Sequence, residues 1–93
     1  MPRTHRLKTW PSYYDALLSG AKTFEVRQND RDFAVGDLLI LQEYDPTRIT
    51  VLPVGYAGRE FHRRVTYLMP GGNFGIAPNF VVMGLGDSMA VPV

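Results

Sequence analysis

Three charged residues in the first third of the chain have types and a spacing that could do chemistry. Lys22, Glu25 and Arg27 lie within six consecutive positions. A guanidinium suits bidentate contact with a phosphate or a guanine edge, and a lysine ammonium neutralises phosphate as a compact charge. A lysine beside a carboxylate could also act as an acid/base pair. The alternative is that Glu25 and Arg27 form only a salt bridge on a solvated strand.

Further residues on either side could extend this group. Trp10 could stack on a base, while Lys8 and Arg31 could contact phosphates. Asn29 and Asp30 could read the polar edge of a base, or could simply cap a turn. For Trp10 and Lys8, packing and surface exposure are the simpler interpretations. The candidate binding residues are therefore Lys8, Trp10, Lys22, Glu25, Arg27, Asn29, Asp30 and Arg31, and the candidate catalytic residues are Lys22 and Glu25.

A helix must lie between the two halves of this group. It is predicted to begin at Pro11 and to end at Gly20, since proline suits the first helical position and glycine the left-handed stop. Between them an apolar stripe recurs at helical spacing, formed by Tyr14, Leu17 and Leu18. A helix this short is not stable alone in water, so we expect the stripe to dock on a sheet.

Alternating polar and apolar residues predict the strands. At residues 22–27, Phe24 and Val26 share an apolar face that we expect in the core, opposite the polar face that carries Glu25. The apolar run that begins at Leu38 predicts a strand buried on both faces. The predicted strands cover residues 5–10, 22–27, 38–44, 59–69 and 80–85, with one further possible strand at 49–52.

The strand order predicts the fold class. Within the predicted strand 59–69, the residues Phe61, Val65, Tyr67 and Met69 share one apolar face, which Arg63 interrupts. Short strands separated by Gly/Pro turns are typical of a curled sheet or small barrel. The predicted class is mostly β (α+β), a mostly antiparallel barrel of five to six strands with one principal helix that closes an open end.

Composition limits the class of protein. Ninety-three residues make one domain, expected to span residues 1–93 with a core at 5–86 and a flexible tail at 87–93. The chain has no cysteine, and its two histidines lack metal-site spacing. No stretch approaches the ~20 apolar residues of a membrane span, and the basic start does not resemble a signal peptide. We expect a soluble, cytoplasmic protein without metal or cofactor, of unknown oligomeric state.

Charge gives a local signal rather than a global one. The formal net charge is only +1, which does not by itself favour nucleic acid. Basic residues nevertheless cluster in residues 3–8 and 59–64. Each cluster is either an anion-binding patch or a solvated face.

The central segment resembles a known signature. Gly20-x-Lys22-x-x-Glu25-x-Arg27 is similar to the G-x-K-x-x-E-x-R pattern of ASCH domains in the PUA-like superfamily. The helix before it and the Gly36-Asp37 turn after it fit that pattern. Further segments resemble a small uncharacterised bacterial and phage family of this type: His5-x-Leu7-Lys8-Thr9, Asn29-Asp30-Arg31-Asp32-Phe33 and Leu41-Gln42-Glu43-Tyr44. The resemblance covers residues 5 to about 86.

The resemblance implies a small β-barrel whose signature strand lines a cleft beside the helix, in a superfamily generally thought to bind RNA. A few members are reported to cleave RNA or to deacylate a modified cytidine. Those deacylases use a lysine and a threonine of the motif. Lys22 stands at the lysine position, but Glu25 stands at the threonine position, so that nucleophile is not carried over.

The expected function is therefore an RNA- or nucleotide-binding module that uses this cleft. One alternative is an enzyme on RNA or a modified nucleoside, ribonuclease or amidohydrolase-like, with Lys22 and Glu25 as its acid/base pair. The other is a phage or bacterial protein-interaction module in which the polar strand is only a surface.

Overall fold

The computed structural model describes residues 1–48 and 55–90. Within these residues the chain forms one helix and five strands: β1 (Thr4–Thr9), α1 (Pro11–Ser19), β2 (Phe24–Gln28), β3 (Leu38–Tyr44), β4 (Tyr56–Pro70) and β5 (Phe80–Asp87). The predicted helix and the five firmly predicted strands are confirmed to within a few residues at their ends. The possible strand at 49–52 lies outside the described residues.

The strands form one sheet in the order β1-β3-β4-β5-β2. β1 runs parallel to β3, and the other three pairs are antiparallel. The sheet is curled like half a barrel, which confirms the predicted mostly β class. The two edge strands, β1 and β2, approach each other across the open side, where the Arg27 guanidinium donates to the Lys8 carbonyl at 2.6 Å.

The core fills the inside of the curl. Helix α1 packs on β3 through Tyr14 and Leu17, which are each 2% exposed. Leu18, predicted to share this stripe, is instead 46% exposed, because a helix of nine residues meets the sheet along a narrow line and Leu18 lies beside that line. The buried apolar cluster consists of Leu7, Leu17, Phe33, Leu39, Leu41, Val65, Val81 and Met83.

The face of β2 that packs on the core is opposite to the predicted face. Glu25 is 3% exposed, whereas Phe24 and Val26 are 44% and 42% exposed. The register pairs Glu25 with Met83, whose side chain is fully buried, so Glu25 points to the inner face of the sheet. The predicted alternation is correct, but the assignment of the apolar face to the core is wrong. A carboxylate can occupy this place because two cations pair with it, as described below.

A bulge in β4 also changes a predicted face. The pairing with β5 shifts register between Val65 and Tyr67. One extra residue in a strand moves every later side chain to the opposite face. Val65 is therefore fully buried, but Tyr67 is 67% exposed, and Leu68 packs against the core in its place. The prediction that Tyr67 and Met69 share the apolar face of Phe61 and Val65 is wrong for this reason.

A buried polar pair anchors β1 to the turn before β3. The His5 Nε2 atom lies 2.8 Å from the Asp37 carboxylate, and both side chains are nearly inaccessible. The same carboxylate accepts the backbone N–H groups of Arg3 and Ala34 at 3.0 and 3.1 Å. Burial alone would raise the pKa of Asp37, but the Arg3 amide, His5 and the Ala34 amide together bring it below its ordinary value of 3.8.

A second polar group ties the helix to β3 and β4. Arg59 donates to both oxygens of the buried Glu43 at 3.0 Å and to Asp15 of the helix at 3.1 Å. Its guanidinium also lies over the Tyr14 ring, 4.8 Å from the centroid. The hydrogen bonds from Arg59 outweigh burial and lower the pKa of Glu43. This arginine of the 59–64 cluster is therefore neutralised within the fold.

The predicted tail is held in place at its start. Asp87 is the last residue of β5, and the Arg64 guanidinium donates to the Ser88 carbonyl at 2.9 Å and to the Gly36 carbonyl at 3.0 Å. Residues 87–90 therefore lie against the sheet, and residues 91–93 lie outside the described residues. Within the part of the chain that the structure describes, no helix is long and apolar enough to span a membrane.

The docking of the helix can be tested by two leucine substitutions. We expect Leu17→Ala to lower the free energy of unfolding by about 2–5 kcal/mol, because it leaves a cavity in the core. Leu18→Ala, on the same helix but exposed, should change it by about 0.5 kcal/mol or less. Urea denaturation followed by circular dichroism measures both. Equal losses for the two variants would contradict this docking of the helix.

The Asp37 carboxylate predicts a loss of stability in acid. Because its pKa is lower in the folded than in the unfolded state, its stabilising contribution is complete above about pH 4 and is lost as the pH falls through the lowered pKa. Asp37→Asn should lower stability at pH 7 and reduce the slope of stability against pH below about pH 4. The slope of stability against pH that remains should come from Glu43, whose pKa is also lowered. Urea unfolding at a series of pH values measures this, and parallel curves for both proteins would refute it.

Candidate functional site

An open cleft of about 440 Å³ lies between β1, the start of α1 and β2. It is lined by residues from all three elements and from the segment before β2: Lys8, Thr9, Trp10, Tyr13, Lys22, Phe24, Glu25, Val26 and Arg27. The cleft therefore sits where the two edge strands of the sheet meet the helix, on the side that the curl leaves open.

The end of the helix places Lys22 at the cleft. Gly20 has a left-handed backbone with a φ of 86°, and its N–H donates to the Leu17 carbonyl at 3.2 Å. The Lys22 N–H then reaches back to the Ala16 carbonyl at 2.9 Å. Glycine adopts this conformation without steric cost, so the chain can reverse here and enter β2 at once.

Glu25 forms the floor of the cleft and is shared by two cations. Lys22 Nζ lies 2.7 Å from one carboxylate oxygen, and Arg27 Nε lies 2.8 Å from the other. The Glu25 side chain is 4% exposed, while those of Lys22 and Arg27 are 19% and 27% exposed. With one cation on each oxygen and almost no access to solvent, the carboxylate positions both cations. The three groups together carry a formal charge of +1.

Both cations keep donors for a ligand. An ammonium has three N–H donors and a guanidinium has five, and Glu25 takes one from each. Arg27 uses one more, at 2.6 Å, on the Lys8 backbone carbonyl across the open side. The remaining donors belong to half-buried, pre-positioned groups that line the cleft. Such an arrangement suits an anion, since the cations need not be ordered when the anion binds.

Aromatic side chains form the rim of the cleft. Trp10 is the residue that precedes the helix, and its ring stacks on Tyr13 with centroids 6.3 Å apart and planes 16° apart. Both are exposed, at 58% and 51%. Lys22 Nζ lies 4.9 Å from the centroid of Tyr13 and 5.3 Å from that of Phe24. Large aromatic faces left open beside cations are suited to a planar, anionic ligand.

The structure brings together five of the eight predicted binding residues. Lys8, Trp10, Lys22, Glu25 and Arg27 all line the cleft. Trp10, for which core or rim packing was the simpler interpretation, is exposed at the rim. The Lys8 ammonium lies 4.8 Å from the centroid of the Tyr44 ring, in a pairing that sequence reasoning missed.

The other three predicted residues lie beyond the end of β2 and do not line the cleft. Asn29 caps a turn, which is one of its two predicted roles, because its side-chain oxygen accepts the Phe33 N–H at 2.9 Å. Arg31 donates to the Arg6 carbonyl at 2.6 Å. Asp30 is exposed in the same loop. A direct role in the cleft is therefore not supported for Asn29, Asp30 and Arg31.

Some lining residues were not among the predicted ones. Tyr13 was recognisable in part, since it lies three residues after Trp10 and so falls on the same side of the helix start. Phe24 and Val26 were assigned to the core, and their exposure follows from the reversed face of β2. Among the described residues there is no group of three or more histidine, aspartate and glutamate side chains that could hold a metal ion.

Comparison with known proteins assigns the chain to a family. Residues 4–85 match a family model described as "Domain of unknown function (DUF3850)". The chain belongs to this family. It is also similar to the "Uncharacterized 12.9 kDa protein in GpA 3'region" of Escherichia phage P2, with 33% identity over 66 residues, which are 71% of this chain and 54% of the phage protein. The chain thus spans about half the length of this curated relative. All of the cleft-lining residues, from Lys8 to Arg27, fall inside the matched region.

The position of Glu25 predicts a structural as well as a chemical role. Glu25→Gln should lower the free energy of unfolding by about 1–3 kcal/mol, because it leaves two half-buried cations without their shared carboxylate. Glu60→Gln is the matched control, since Glu60 is 41% exposed and makes only the long, exposed contacts with Arg6 at 3.5 Å and His62 at 3.9 Å. That substitution should have almost no effect. Urea denaturation measures both, and an unchanged Glu25→Gln protein would show that the pairing contributes nothing to the fold.

Proposed function

We propose that this DUF3850 protein is an ASCH-type, PUA-like module that binds RNA or a nucleotide in the cleft between β1, α1 and β2. The proposal includes a cytoplasmic location, where such ligands are abundant. In this proposal Lys22, Arg27 and Lys8 hold phosphate, Trp10 and Tyr13 stack on a base, and Glu25 positions the two cations beside it.

One observation carries the proposal: a buried carboxylate fixes two cations on the floor of an open cleft whose rim is an exposed aromatic pair. Lys22 and Arg27 lie 2.7 and 2.8 Å from Glu25, and Trp10 and Tyr13 remain half-exposed above them. A purely structural ion pair needs no cleft, and a purely structural tryptophan is normally covered. Both features together favour a ligand with an anionic part and a flat part.

The arrangement matches the two parts of a nucleotide. Phosphate groups bind through charge-assisted hydrogen bonds from lysine and arginine, which carry no base preference. Bases bind on aromatic faces, where stacking contributes about 1–3 kcal/mol per base. The floor and the rim of this cleft supply one surface of each kind. A volume of about 440 Å³ lies within the usual range for a small-molecule site.

A second candidate is an enzyme acting on RNA or a modified nucleoside. It is favoured by the 2.7 Å contact between Lys22 Nζ and Glu25 Oε1 in a partly buried cleft, which is within the reach needed for proton transfer. In this candidate one side chain of the pair accepts a proton from the attacking group and the other donates a proton to the leaving group, while Arg27 holds the substrate. It shares the cleft with the binding proposal and differs in whether the ligand is changed.

Binding should be measured by fluorescence anisotropy with labelled single-stranded RNA and labelled tRNA at two salt concentrations. We expect micromolar affinity that weakens steeply with salt, since phosphate contacts release counterions. Arg27→Ala and Trp10→Ala should each weaken binding at least several-fold. Phe74→Ala is the matched aromatic control, because Phe74 is 88% exposed but does not line the cleft, and it should bind as the wild type does.

The recovered RNA separates the candidates. Intact RNA after incubation supports binding alone, and shortened RNA, or a converted modified nucleoside, supports the enzyme if the product is lost in Lys22→Ala. Absence of both binding and turnover would refute the proposal and favour a protein partner. The outer face of β2 and β4 would then be the first surface to examine, since Phe24 and Tyr67 lie exposed on it.

A further inference from the structure

The cleft is one end of a longer opening between the two edge strands. The Leu38 N–H donates to the Arg3 carbonyl, so the backbone groups of Arg3 and of every second residue after it face β3. Arg6 and Lys8 therefore direct their backbone groups away from β3 and toward β2. We call the opening from Lys8 to Arg3, along this side of β1, the seam.

Arginine side chains cross the seam in a row. Arg27 donates to the Lys8 carbonyl at 2.6 Å, and Arg31 donates to the Arg6 carbonyl at 2.6 Å. Arg3 crosses in the opposite direction and donates to the Arg31 carbonyl at 2.7 Å and to the Asp32 carbonyl. Long side chains are needed for these contacts, so the strands lie farther apart than the roughly 4.8 Å of a paired sheet.

Unlike Arg27, which is paired with Glu25, Arg3 and Arg31 cross the seam without a carboxylate partner among the described residues. A backbone carbonyl is a neutral acceptor, so it orders a guanidinium without cancelling its charge. No carboxylate of the described residues lies within ion-pair distance of Arg3 or Arg31, although Asp30 and Asp32 lie in the same loop with exposed side chains. Arg59 shows the opposite case, since two carboxylates neutralise it.

The loop that presents Arg31 is firmly built. Asn29 caps it through the Phe33 N–H, and Asp32 adopts a left-handed backbone with a φ of 51°. Aspartate tolerates that conformation better than most residues. Phe33 is 5% exposed and packs edge-to-face on His5, with centroids 4.8 Å apart. The loop is therefore anchored to β1, and the position of Arg31 is set before any ligand arrives.

We propose that Arg3 and Arg31 form a second phosphate subsite, so that the ligand is a single-stranded oligonucleotide that runs from the cleft along the seam. The inference rests on the proposed function, since the first phosphate and its base occupy the cleft. The Arg6 carbonyl lies two residues from that of Lys8, or about 7 Å along β1. Neighbouring phosphates of one extended strand can reach cations at that separation, whereas a mononucleotide reaches only one of the two subsites.

The test compares a fluorescein-labelled uridine mononucleotide with a labelled octauridylate by anisotropy over a range of salt concentrations. We expect the octauridylate to bind more tightly to the wild type and with a larger salt slope. Arg31→Gln and Arg3→Gln should each weaken octauridylate binding several-fold and reduce its slope by about 0.7, the value for one phosphate contact on a single strand. Neither should alter mononucleotide binding.

Two further variants separate charge from structure. Arg31→Lys retains the charge and should retain most of the octauridylate affinity. Arg6→Gln is the matched control, because the Arg6 side chain turns toward Glu60, 3.5 Å away, and does not cross the seam. It should leave both ligands unaffected. If Arg31→Gln fails to fold, Arg3→Gln and the wild-type comparison of the two ligands decide the question.

The outcomes distinguish the inference from the proposed function. Equal salt slopes for both ligands, with Arg3→Gln indistinguishable from wild type, would overturn the second subsite and leave nucleotide binding in the cleft intact. Binding of neither ligand by the wild type would overturn both. Tighter octauridylate binding that depends on Arg3 and Arg31, but not on Arg6, would establish the subsite.

Discussion

The burial of a carboxylate on the inner face of β2 is the constraint on which the rest of the site depends. An ionised group out of contact with water must be paired, and Glu25 is paired on each oxygen. This requirement brings Lys22 and Arg27 to one point and turns their remaining donors toward solvent. It also sends Phe24 and Val26 to the outside of the sheet. The polar floor of the cleft and the apolar outer surface of β2 are thus two results of one pairing.

The secondary structure could be predicted from the sequence because its signals are local. Pro11 and Gly20 set the ends of the helix, and alternation or a short apolar run predicted every strand that the structure describes. The faces of two strands could not be predicted in this way. On β2, hydrophobicity alone favours Phe24 in the core, and the pairing that overrides it depends on three side chains acting together. On β4, the bulge after Val65 adds a single residue, and no feature of composition marks it.

The candidate site was predicted where a short motif carries it. Lys22, Glu25 and Arg27 are neighbours on one turn and one strand, so their proximity follows from the sequence. Lys8 comes from the other edge strand and Trp10 from the junction between β1 and α1, and both join them because α1 reverses the chain. Asn29 failed as a cleft residue since β2 ends at Gln28 and the loop turns away toward β1. The roles of Arg3 and His5 depend on contacts with residues about thirty positions away, which no local pattern reveals.

The strand order has a consequence for how the molecule assembles. β3, β4 and β5 follow one another both in the chain and in the sheet, so fewer residues separate these partners than separate β1 from β3 or β2 from β5. β1 and β2 each pair with a strand that is not their neighbour in sequence, and each has a pairing partner on one side only. We therefore expect the central meander of β3, β4 and β5 to form first and the two edge strands, β1 and β2, to join it later. The amide protons of β1 and β2 should exchange with solvent when these strands open locally while β3, β4 and β5 stay paired. The cleft is built from these two edge strands. A ligand that contacts both of them therefore stabilises the part of the sheet that opens most easily and holds it to the central strands.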